Sequence, residues 1–172
     1  MSAMNNRSNW PLHFLVYAAI VLGCYVHSVQ AAESKNKVQS ADFIELAAVM
    51  LKDGHHDRAL LALQNVDLGN KKTDLARFYT LQGLAYMGLN DLQASKDSLE
   101  LAIKHGQKDH AIFVYLAKSY FGLKDYQKTI DTIQKAGNEA NKDAALLSMK
   151  AESFWHLQDI NAAINTLNEG EQ

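Results

Sequence analysis

Asp53-Gly54-His55-His56-Asp57 gathers, within five residues, groups able to hold a metal or move a proton. Two imidazoles between two carboxylates offer the nitrogen and oxygen donors that bind divalent cations. Their spacing works against that use. Adjacent side chains diverge, whereas helical metal sites place donors four residues apart on one face. His105, His110 and His156 are scattered. The chain has no glycine-rich phosphate loop and no HExxH, GxSxG or CxxC pattern. We read the cluster as a solvated turn and expect no metal, no cofactor, no catalytic residue and no enzymatic activity.

The elements around that turn follow from composition. The 172 residues are enough for one domain with a sizeable core. The only proline is Pro11, and no alternation of period two persists, so helix is expected and sheet is not. The 17 Lys and Arg stand against 19 Asp and Glu without a basic run, which argues against a nucleic-acid partner.

The N-terminus has the three parts of a secretory leader. Arg7 is followed by an apolar run from Trp10 to Val26, with Val29 and Ala31 at the small-residue positions of a cleavage site after Ala31. Two other readings remain: an uncleaved membrane anchor, since the run is nearly long enough to span a bilayer, and a lipoprotein acylated at Cys24. Leu22 before Gly23, and Tyr25 and Val26 after the cysteine, fit the lipoprotein pattern poorly. The expected location is therefore exported, periplasmic or otherwise envelope-associated, with any membrane contact through this segment alone. Arg7 is the only charged residue before Glu33, so the chain beyond the leader carries a net charge of −3 and no cysteine. Its stability must come from packing rather than disulfides.

After a polar linker (residues 32–40) the chain becomes periodic. "YMGLND" at Tyr86, "YFGLKD" at Tyr120 and "FWHLQD" at Phe154 return at steps of 34 residues. Each step holds two amphipathic segments around a Gly/Asn/Asp turn, as in an all-α solenoid of helix–turn–helix units. The units run over about 40–73, 76–109, 110–143 and 144–172. A hairpin of this size cannot bury its apolar stripe alone, so its neighbours supply the missing wall. Asp91, Asp125 and Asp159 close the turns, where a carboxylate caps the second helix.

These units resemble tetratricopeptide repeats. The third matches best, with Phe113, Leu116, Ala117, Tyr120, Ile133 and Ala136. The second carries Gly83, Tyr86, Leu99 and Ala102, and the fourth Leu147, Ala151, Phe154, Ala163 and Leu167. The first fits with Phe43, Leu46, Ala47, Met50, Ala59 and Leu63 once two extra residues are allowed in the loop from Asp67 to Asp74. Departures are the missing terminal prolines, Gln82 and Lys150 for leucine, and Ser95 and Thr129 for alanine.

The resemblance implies a concave groove, lined by the first helices, that binds another protein as a peptide or helix. The residue after each aromatic then turns towards the groove: Leu51, Met87, Phe121 and Trp155. Ile44 and Ala48, Thr80 and Leu84, Val114 and Lys118, and Ser148 and Glu152 precede them on the same face, with Arg77 at the rim. Met, Phe and Trp suit a partner surface, although the same side chains could pack against adjacent repeats. The lysine and asparagine clamp for a terminal carboxylate, used by some family members, is missing. A hydrophobic or amphipathic segment is the expected ligand.

The resulting expectation is a non-catalytic adaptor of the bacterial cell envelope. The alternative is the helical accessory domain of a larger envelope enzyme or assembly, for which Arg77, Lys118, Glu152 and His156 are the titratable groups available on the groove. An RNA-binding helical repeat fits less well, because its groove would be basic. At the C-terminal edge Ile164 and Leu167 face no following repeat, which offers a surface for self-association or points to a longer parent chain.

Overall fold

The structure is a computed structural model describing residues 40, 42–137 and 143–169. The leader, Cys24 and the linker up to residue 39 lie outside them. Among the described residues there are eight helices and no strand. They are α1 (42–52), α2 (His56–Leu63), α3 (Leu75–Gly88), α4 (Leu92–Lys104), α5 (His110–Gly122), α6 (Tyr126–Lys135), α7 (Ala144–His156) and α8 (Ile160–Glu169). The expected all-α solenoid is what forms.

Local chemistry sets the helix ends. Asp91, Asp125 and Asp159 each accept a bond from the backbone N–H three residues on, at Ala94, Lys128 and Ala162. Asp74 and Asp143 cap α3 and α7 in the same way. Such caps satisfy donors that a helix N-terminus leaves free, contributing about 1 kcal/mol each. One residue earlier in the turns, Asn90, Lys124 and Gln158 adopt φ of 61°, 62° and 65°. The first hairpin places Gly54 there, at φ 76°. The left-handed residue therefore recurs in all four turns, although only the first supplies the glycine that takes it without strain.

From α2 onward each helix packs on its successor, and the first helices of the later hairpins also touch one another, α3 with α5 and α5 with α7. We take this closer row as the inner side of the stack. Between hairpins the second helix of one unit is covered by the first helix of the next, in three layers. A bulky layer comes first: Phe78 and Leu81 of α3, Ile112 and Tyr115 of α5, Leu146 and Met149 of α7 pack into the apolar clusters there. A small layer follows, in which Ser95 Oγ and Ser119 Oγ bond at 3.0 Å, fully buried. Thr129 and Ser153, at the aligned positions, are equally buried and donate to carbonyls four residues back. The last layer puts the first residue of a second helix on a bare or flat site. His56 and Leu92 lie where a Cβ on Gly88 or Gly122 would stand. Tyr126 stacks on His156 at 4.3 Å between ring centroids and 9° between planes.

Within the second hairpin, α3 and α4 approach closely. A Cβ on Gly83 would lie 2.7 Å from Leu99 Cγ and Cδ2. Tyr120 is buried and donates its hydroxyl to Glu100 on α4. Burial, then the bond to the carboxylate, hold this phenol well above the ordinary tyrosine range.

Candidate functional site

The inner row does not present the expected stripe uniformly. Ile44 is corrected: it is 5% exposed within the first core cluster and unavailable to a ligand. Its register turns it into the cluster that includes Leu63 and Phe78 rather than into the groove. Leu51, Met87 and Val114 are half-buried because they pack on the first, second and third clusters. Phe121 is also half-buried, meeting the Tyr126 ring edge-on at 6.1 Å. Leu51, Met87 and Val114 sit at seams between hairpins, whereas Phe121 meets the second helix of its own. Ala48, Thr80 and Leu84 are half-buried, and Thr80 donates to the Ala76 carbonyl.

The polar members are more open. Arg77 is exposed and pairs with Glu45 of α1 at 2.5 Å. Lys118 is exposed, with its ammonium 5.9 Å from the Tyr115 ring centroid. Glu152 is exposed and lies 3.7 Å from His156 Nε2. Arg77 on α3 and Lys118 on α5 therefore stay apart from each other and from Glu152 and His156, which share α7 one turn apart. The histidines of the DGHHD cluster part company as well: His55 is exposed at the start of α2, and His56 turns in against Gly88. Among the described residues no three His, Cys, Asp or Glu side chains converge as metal ligands.

The stripe opens at its last unit. Ser148, Glu152 and Trp155 of α7 join Ala151 and four residues of α8 (Ile160, Ala163, Ile164 and Leu167) around a cavity of about 390 Å³. Trp155 is 62% exposed, whereas Phe121 and Met87, one and two units earlier, are half covered. Ile160, Ile164 and Leu167 are each more than half exposed. A contiguous apolar face of this kind makes this end the candidate binding surface. The sequence pattern had isolated Ile164 and Leu167. Ile160 was legible only through the register that aligns it with His56, Leu92 and Tyr126.

A stack of helical hairpins with an apolar inner row and an open end defines an α-solenoid of the interaction type. The tetratricopeptide-repeat family model matches residues 76–104, which take in α4 and all of α3 but Leu75. No curated protein matches the chain. Among solved structures it resembles MamA, at 16% identity and a TM-score of 0.68 over 81% of this chain and 74% of that one. It also resembles YrrB, described as a TPR protein with an unusual peptide-binding site, at 16% identity and a TM-score of 0.56 over 82% and 89% of the two chains. A third similar structure is the APC/C hetero-tetramer Cut9-Hcn1, at 22% identity and a TM-score of 0.55, covering 84% of this chain and 30% of that one. At these identities the likeness is one of fold. No helix among the described residues is long and apolar enough to cross a membrane.

Proposed function

We propose that this protein is a non-catalytic interaction scaffold of the bacterial cell envelope, holding a peptide or amphipathic helix of another protein along its inner row. The observation that carries this reading is the apolar stripe that leads from Met87 and Phe121 to the exposed Trp155. Aromatic side chains supply large contact area, and methionine adapts its shape to a partner. YrrB, a fold neighbour with a peptide-binding site, supports it by analogy. The envelope address rests on the leader-like layout of residues 1–31.

Site-specific photocrosslinking in intact cells tests the groove. Probes replacing Lys118 and Leu84 on the inner row should trap one and the same protein, and a probe replacing Gln134, exposed on α6, should not. Equal, unselective trapping from both faces would refute the reading. Sequencing the mature N-terminus tests the address: a chain starting at Ala32 is expected, and an intact or acylated start would replace it with an anchor or a lipoprotein.

A further inference from the structure

The face of α7 and α8 that no described helix covers is one half of an interface that the described residues build three times. Ile160, Ala163 and Leu167 align with His56, Ala59 and Leu63 of α2, which α3 covers. They also align with Tyr126, Thr129 and Ile133 of α6, which α7 covers. Ile133 is 2% exposed beneath Leu146, while Leu167 at the same register is 54% exposed. The cavity is therefore the continuation of an interface whose covering element is known in three versions.

Those three versions share a code. Each covering helix has bulky apolar residues at its first and fourth contact positions, a small residue at the eighth, and a glycine or flat ring at the eleventh. In α3 these are Phe78, Leu81, Ala85 and Gly88, and in α7 Leu146, Met149, Ser153 and His156. We infer that the α7–α8 face takes an α-helix of another polypeptide carrying this i, i+3, i+7, i+10 pattern, which extends the stack by one element in trans. The chain's own first helix is not that occupant. At the aligned positions α1 carries Asp42, Glu45, Val49 and Lys52, so a head-to-tail copy would drive two carboxylates onto an apolar wall. The site adjoins the end of the inner row, sharing Trp155 with it, and extends onto α8, where Leu167 belongs to the edge alone.

The probe is a labelled peptide of residues 74–89, the chain's own α3, titrated into the full-length protein and read by fluorescence anisotropy. Saturable binding is expected, weakened by the cost of ordering so short a helix. A peptide with Phe78→Asp and Leu81→Glu, copying α1, should bind at least about tenfold more weakly, a difference of about 1.4 kcal/mol. Leu167→Glu in the protein should have the same effect. Leu167 is already half exposed, so this variant should keep its far-UV spectrum and melting behaviour. Lys118→Glu on the inner row should leave peptide binding unchanged, so groove and edge are read separately. Absence of saturable binding would overturn the inference, as would binding indifferent to Leu167→Glu. So would a homodimer in sedimentation that Leu167→Glu dissolves, because the face would then belong to a second copy.

Discussion

Ile133 and Leu167 occupy the same register in successive hairpins, and truncating each to alanine separates a covered wall from an open one. Ile133 is 2% exposed and packs with Ala117, Ala136 and Leu146. Ile133→Ala should remove about 2–5 kcal/mol, the transfer term plus an unfilled cavity between α6 and α7. Leu167 is 54% exposed. Full burial of a leucine contributes about 1.5–3 kcal/mol. About half of that applies here, no enclosed cavity forms, and alanine recovers a few tenths in helix propensity. The expected loss for Leu167→Ala is about 1 kcal/mol. Urea denaturation followed by circular dichroism measures the sum. In a nearly one-dimensional array, however, the terminal hairpin opens first. Hydrogen exchange of α6 and α8 amides therefore reports the two sites separately. If Leu167→Ala cost as much as Ile133→Ala at dilute protein, the face would be covered in solution and the inference of an open edge would fail.

Gly83→Ala should destabilise the second hairpin by about 1–2 kcal/mol in urea melts. The displacement it forces on the fully buried Leu99 outweighs about 1 kcal/mol of gained helix propensity, and a stabilised variant would deny the close approach of α3 and α4. Gln158→Gly should raise stability by a few tenths to about 1 kcal/mol, because a glycine adopts φ of 65° without the side-chain clash; a lower melting temperature would count against strain in that turn. Tyr120→Phe should cost about 1 kcal/mol near neutral pH through the lost bond to Glu100. Because the folded phenol titrates above its unfolded value, its contribution is complete below about pH 10 and declines as pH rises beyond it. The gap between wild type and Tyr120→Phe should therefore narrow in alkaline urea titrations, and a constant gap would refute the assignment.

The period was legible because helix pairing repeats the same physical demand every 34 residues. An aspartate must cap, a small residue must admit the partner helix, and an aromatic must fill the wedge. The groove was harder to read. The residue after each aromatic sits at a seam, and whether it is wall or surface depends on the next hairpin. Met87 is half covered because it packs on the cluster that α5 completes, and Phe121 meets the Tyr126 ring at the start of α6. Trp155 at the same register is open because no described helix follows α8. Ile44 failed for a related reason: its face of α1 turns into the first cluster, which a fixed offset from Leu51 does not reveal. Single-residue periodicity therefore locates a row but cannot rank its members, since accessibility is a property of pairs of hairpins.

The small layer shows how the interfaces can differ while the stack stays regular. Ser95 and Ser119 exchange a buried hydrogen bond, which ties α4 to α5 in one register, because an unpaired hydroxyl there would be costly. Thr129 and Ser153 satisfy themselves on their own helices and impose less on each other. At the open edge the position is Ala163, with no polar atom to match. A helix docking there needs only a small side chain at its eighth contact position, so alanine, serine or glycine would serve. Discrimination falls instead on the bulky layer, where Ile164 and Leu167 meet the incoming first and fourth residues. Charge at those two positions is the feature that should reject a helix, as Asp42 and Glu45 do for the chain's own α1.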